Sequence, residues 1–182
     1  MPTPVGHLLA GVAVAWTIAP RADRRLTLAA AGLAAAPDLD LLLPFQHRTI
    51  THNVLTAALV TILAAVVTRQ VTPRARARIA AICGLAVASH LLLDWLGTDR
   101  VLPYGLQALW PFSERFYISG LDWFRGTART NIFGREAIVR NLAAIAQEIA
   151  IMGPIVWGIW LVRVKTAARL PSEVTGSYHP TQ

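Results

Sequence analysis

Charge is scarce in this chain, and most of it has one sign. Only 15% of the 182 residues are charged, against about 25% in an ordinary soluble domain. That shortage excludes a disordered chain and a coiled coil. A single cysteine, Cys83, excludes an internal disulfide and any zinc site built on cysteines. No lysine or arginine precedes the first apolar run, so a cleaved signal peptide is not expected there. The net charge of +7 would suggest nucleic acid in a soluble protein. No basic stripe interleaves with aromatics, however, so no nucleic-acid partner is expected.

What is present is apolar sequence, at 54% of residues. Five apolar segments stand out, at about 5–19, 26–43, 50–68, 79–96 and 138–162. Their lengths approach the roughly 20 residues that a bilayer core requires, and the first two are short enough to tilt or to sit partly re-entrant. The expected fold class is all-α, a polytopic membrane helical bundle of four to five spans. One domain is expected over residues 1–168, followed by a mobile tail over 169–182.

Loop charge sets the expected orientation. With the N-terminus outside, segments 20–25, 69–78 and 163–182 face the cytoplasm and hold ten basic residues against Asp23 and Glu173. The outer segments hold seven basics, and most of these share a stretch near 98–137 with Asp99, Glu114, Asp122 and Glu136. The positive-inside rule therefore favours an extracytoplasmic N-terminus and a cytoplasmic C-terminus. That outer stretch is rich in aromatics, among them Tyr104, Trp110, Phe112, Trp123 and Phe133. It reads as an interfacial belt, as a cap over a substrate, or as both.

Ionisable groups inside apolar spans are costly and tend to mark function. Here they are His7 in the first segment, Asp38 and Asp40 late in the second, His47, Arg48 and His52 around the start of the third, and His90 and Asp94 late in the fourth. In the expected topology all of them meet at one membrane face, the extracytoplasmic one. His90 and Asp94 are four residues apart and share a helix face. Imidazole nitrogen with carboxylate oxygen suits zinc, and also manganese or iron. The same groups would equally serve a proton relay. Glu136 and Glu148, with Asn141 and Gln147, are candidates to line the cavity from the fifth segment, Glu148 being the deepest.

Four ordered motifs carry a resemblance: Pro37-Asp38-Leu39-Asp40, His47-Arg48-x-x-Thr51-His52, Ser89-His90-Leu91-Leu92-Leu93-Asp94 and Leu109-Trp110-Pro111-Phe112-Ser113. Together they resemble the YdjM-type family of bacterial inner-membrane proteins, described as metal-dependent hydrolases. Through that family the chain is distantly similar to the zinc-dependent phospholipase C and single-strand nuclease superfamily. The resemblance implies that Asp38, His52, His90 and Asp94 hold a first divalent metal, with zinc the first choice, and that His7 and Asp40 contribute to a second. The superfamily's N-terminal tryptophan and its second His-x-x-x-Glu pair have no counterpart here, so one or two ions are expected rather than three. His47, Arg48 and Asp40 are the implied catalytic residues, acting on a phospholipid or lipid-linked phosphoester through metal-activated water. The alternative is a non-catalytic metal-binding or proton-relay protein.

Overall fold

The computed structural model describes residues 1–42, 48–128 and 131–169. Its regular elements are five α-helices and one 3-10 segment, and among the described residues there is no strand, only the isolated bridges Gly97–Phe124 and Leu106–Tyr117. Helix α1 spans Pro4–Ile18; Thr3 caps it by accepting from Val5 N–H at 3.1 Å, with a proline at the first helical position. Helix α2 spans Arg24–Ala35, and the Asp23 carboxylate caps it by accepting from Leu26 N–H at 2.7 Å. The chain then tightens into the 3-10 segment Ala36–Leu42. Pro37 accounts for this break, since it disfavours the α conformation at Ala36 and has no N–H to give. The second apolar segment is therefore a 12-residue helix plus a 3-10 segment, not one continuous span.

Helix α3 spans Val54–Val67, where Asn53 accepts from Thr56 N–H at 2.8 Å. Helix α4 spans Pro73–Leu96 between Thr72 and Gly97, starting six residues before the apolar run itself. Helix α5 spans Arg135–Arg169 and carries Pro154 internally. The expected tail, 169–182, lies outside the described residues apart from Arg169, which ends α5.

Helix α1 packs against α2, α4 and α5, while α3 leans mainly on α4. The core of this bundle is made of small side chains: Ala15, Ala19, Ala30, Ala34 and Ala86 are buried around Ile82. The large apolar side chains face outward instead. Leu59, Ile62, Leu63, Val66 and Val67 of α3, and Leu142, Ile149, Trp157 and Val162 of α5, are all exposed. Water would penalise such a surface, whereas a lipid environment removes the penalty and leaves close backbone packing as the cohesive force. Two helical stretches, Pro73–Leu96 and Arg135–Lys165, are long and apolar enough to cross a membrane. The apolar α1 and α3 are shorter, at 15 and 14 residues.

Residues 98–128 fold over one end of the bundle. Thr98 and Trp123 N–H bond Phe124 and Leu96 carbonyls at 2.8 and 2.9 Å, and Val54 N–H bonds Ala108 O at 2.9 Å. The stretch thus ties the end of α4 to the start of α3. Asn141 and Gln147 of α5 hold it from the other side, through Ala128 and through Arg125 and Trp123. These bonds tie both side chains to this stretch. Glu136 is exposed.

Close approach explains one glycine. A Cβ on Gly11 would stand 2.7 Å from Ala31 Cα, so α1 and α2 touch backbone to backbone there. Gly32 has nothing within 4 Å of the same atom. Gly11→Ala should cost about 1–3 kcal/mol through overpacking, and Gly32→Ala should gain about 0.5–1 kcal/mol through helix propensity. Thermal unfolding of the two variants in detergent checks the opposite signs.

Candidate metal centre

Four elements deliver the cluster. His7 lies one turn into α1, Asp38 and Asp40 on the 3-10 segment, His52 just before α3, and His90 and Asp94 one turn apart near the end of α4. The side chains of His7, His52, His90 and Asp94 are fully buried, and only Asp38 retains exposure, at 17%. Solvent therefore meets the cluster at Asp38.

Asp38, His52, His90 and Asp94 each offer one ligand atom, and these atoms lie within 4.8 Å of one another. His90 Nε2 is 3.3 Å from Asp94 Oδ2 and 3.8 Å from Asp38 Oδ1. His52 Nε2 is 3.6 Å from the same oxygen of each acid. Ligands about 2.0–2.2 Å from a shared ion at tetrahedral angles stand about 3.3–3.6 Å apart. The separations of 3.3 and 3.6 Å fall at that spacing, and the His90–Asp38 separation of 3.8 Å lies just beyond it. Accordingly His90 Nε2 and both Asp94 oxygens are buried without a hydrogen-bond partner. Leaving such groups unsatisfied is costly, and a divalent cation among them would satisfy all of them and balance two carboxylates. The donor set fits a metal.

The ring orientations are held from behind. His90 Nδ1 lies 2.8 Å from Ala34 O. A carbonyl only accepts, so Nδ1 carries a proton and Nε2 is the nitrogen that faces the cluster. His52 Nδ1 lies 2.8 Å from Thr51 Oγ1 and 3.2 Å from Asp40 Oδ2, which accepts from Thr51 Oγ1 at 2.6 Å and Arg48 N–H at 3.4 Å. This is the carboxylate–imidazole support that orients metal-binding histidines. Asp40 is thereby a positioning residue behind His52, where the sequence reading made it a ligand of a second ion.

His7 stacks on His90 with ring centroids 3.8 Å apart. Its Nε2 faces the other oxygens of the two acids, Asp94 Oδ1 at 3.6 Å and Asp38 Oδ2 at 3.9 Å, and neither ring nitrogen has a hydrogen-bond partner. His7, with Asp38 and Asp94, would be the residues to hold a second ion.

Two residues of the sequence reading stand elsewhere. Arg48 is turned away from the cluster: its guanidinium pairs with Asp99, and its side chain also faces the carbonyls of Val101 and Pro103. Asp99 in turn accepts from Val101 and Gly105 N–H, at 3.1 and 2.8 Å. The buried pair braces the 98–128 stretch against the segment before α3, which differs from the expected contact with substrate phosphate. Its backbone takes φ 72°, a left-handed conformation uncommon outside glycine. His47 lies outside the described residues.

Glu148 was the polar residue whose role the sequence left open. It is fully buried and accepts from Thr3 N–H at 2.6 Å, Thr3 Oγ1 at 2.5 Å and Gly6 N–H at 2.8 Å. A carboxylate from α5 therefore caps the positive end of α1, immediately before His7. Asp99 and Glu148 carried no local motif; each is recognised only through partners 51 and 142–145 residues away.

Asp94→Ala and His90→Ala should abolish bound metal in the purified protein. Asp40→Asn should keep the stoichiometry at saturation while weakening affinity about 10–100-fold. Elemental analysis with a competitive chelator titration separates the two effects.

No curated protein and no solved structure matches this chain. A family model described as YdjM inner membrane protein matches residues 1–167. With nearly its whole length matched, the chain belongs to the YdjM inner membrane protein family.

Proposed function

We propose that this protein is an integral-membrane, metal-dependent phosphoesterase acting on a phospholipid or lipid-linked phosphoester. What carries the reading is the convergence of Asp38, His52, His90 and Asp94 at one end of a helical bundle, open to solvent at Asp38. The same end is covered by residues 98–128, which expose Leu102, Tyr104, Phe112 and Trp123. Apolar and aromatic side chains of this kind favour the headgroup boundary, where a lipid ester lies. The full topology goes with this reading: four to five spans, an extracytoplasmic N-terminus and site, and a cytoplasmic C-terminus.

A divalent ion held there, zinc before manganese or iron, would acidify water and polarise an ester oxygen. The protein's own part is positional. Asp40 and the Ala34 carbonyl hold the protons of His52 and His90 on the outer nitrogens. His7 Nε2 faces Asp94 Oδ1 and Asp38 Oδ2, and with a single ion bound it is the group placed to pass a proton. Hydrolysis attaches the water oxygen to phosphorus, breaks the ester bond and delivers one proton to the departing oxygen. That proton has a short route through His7.

A second reading has its own support. Four protein ligands fill a tetrahedral shell, as in structural zinc sites, and would leave no position for water. Turnover decides. The full chain, reconstituted in mixed phospholipid vesicles with zinc or manganese, is expected to release phosphate or a phosphorylated headgroup. Chelator or Asp94→Ala should remove at least about 99% of it, the scale of loss when activated water is lost. A metal-loaded protein that releases nothing from any lipid of the panel overturns the enzyme reading and leaves the structural one.

A further inference from the structure

The metal cluster occupies one end of the bundle, and the opposite end carries a second feature. There, beyond the last turn of α1 and beside the first turns of α2 and α4, lies a cavity of about 540 Å³. Arg21, Arg25 and Arg78 line it, and the remaining wall is apolar apart from Asp23. Arg78 precedes His90 by 12 residues on the same helix, a separation of about 18 Å along the axis.

None of the three guanidinium groups makes a hydrogen bond or ion pair among the described residues. Asp23, the acid at the rim, is engaged as the cap of α2. The surroundings add to the positive potential. Helices α2 and α4 both begin here, and neither has an acid in its first turn. Arg24 and Arg25 open α2, and Arg74 and Arg76 open α4, at ends where the helix macrodipole already favours negative charge. The wall is braced from behind. Arg163 of α5 donates to Pro20 O at 2.5 Å and Ala22 O at 2.8 Å while lying over the Trp16 ring.

We propose that Arg21, Arg25 and Arg78 bind the phosphate of an anionic phospholipid at the end of the bundle opposite the metal cluster. Guanidinium groups pair with phosphate oxygens through charge-assisted hydrogen bonds. Leu26 and Ile79 in the wall suit the glycerol and upper acyl region better than a free, fully hydrated phosphate. Basic clefts between membrane helices are established places for anionic headgroups. The site is independent of the catalytic reading, since it shares no residue with the metal cluster.

The test uses the purified full-length chain and native mass spectrometry of retained lipid, with phosphatidylglycerol against phosphatidylcholine. The wild type should retain phosphatidylglycerol selectively. Combined Arg21→Gln, Arg25→Gln and Arg78→Gln should lower that retention at least about tenfold. Arg78→Gln alone should lower it several-fold, so the proposal remains testable if the triple variant folds poorly. Bound metal should be unchanged in each, which separates loss of this site from loss of the metal centre. A control with Arg69→Gln, off the cavity, should retain lipid normally. Equal loss in the control, equal retention of phosphatidylcholine, or displacement of the lipid by excess inorganic phosphate would each overturn the proposal.

Discussion

Two carboxylates and three imidazoles share a space that water reaches only at Asp38, and the rest of the structure follows from that constraint. Buried acids with no hydrogen-bond donors are stable only near positive charge. Among the described residues no arginine or lysine pairs with Asp38 or Asp94, and Arg48, the nearest in sequence, pairs with Asp99 instead. Cationic charge must come from protonated imidazole or from metal. Ala34 O holds the outer nitrogen of His90, and Thr51 and Asp40 hold that of His52, so the inner nitrogens face the acids. With the inner nitrogens 3.3–3.8 Å from carboxylate oxygens, a cation among them would balance both acids.

The break after α2 serves the same end. A helix leaves its last carbonyls without partners, and Ala34 lies in that last turn, so its oxygen is available to His90. Had α2 continued through residue 40, that carbonyl would have been taken up by the backbone. The proline that shortens the apparent span is therefore part of the centre. Depth in the membrane is given up for a held imidazole.

Much of the site was legible before any coordinates. His90 and Asp94 one turn apart, and acids and imidazoles near the ends of successive apolar runs, already suggested one pocket. Because helices of an up-and-down bundle alternate direction, residues at such ends share a face without any detailed geometry. Helix number was legible for the same reason, since apolar runs separated by Pro, Gly and Arg leave few alternatives. The span count was less so. Composition treats 26–43 as one run, whereas Pro37 divides it. Individual roles within the pocket were harder still: Asp38 and Asp40 are two residues apart and chemically identical, yet one faces the cluster and the other backs His52. Only the turn of the 3-10 segment separates them. Arg48 and Glu148 were noticed as polar residues in apolar surroundings, but their partners lie 51 and 142–145 residues away, beyond any local pattern.

Glu148 shows how the longest helix enters the chemistry without touching the ligands. Helix α5 contributes no member of the four-residue group, and most of its surface faces outward. Its one buried acid closes on Thr3 and Gly6, fixing the rotation and height of α1 at the turn that carries His7. A Cβ on Gly6 would stand 2.9 Å from Glu148 Oε2, so a side chain there would make the carboxylate shift. At the far end of the same two helices, Arg163 holds the carbonyls of Pro20 and Ala22. An acid at one end and a base at the other, each spent on backbone of the α1 region, clamp α5 along the full length of α1. The apolar contacts between them, small and lipid-like, would permit sliding. The two polar clamps forbid it, and this keeps His7 in register with His90, against which it stacks.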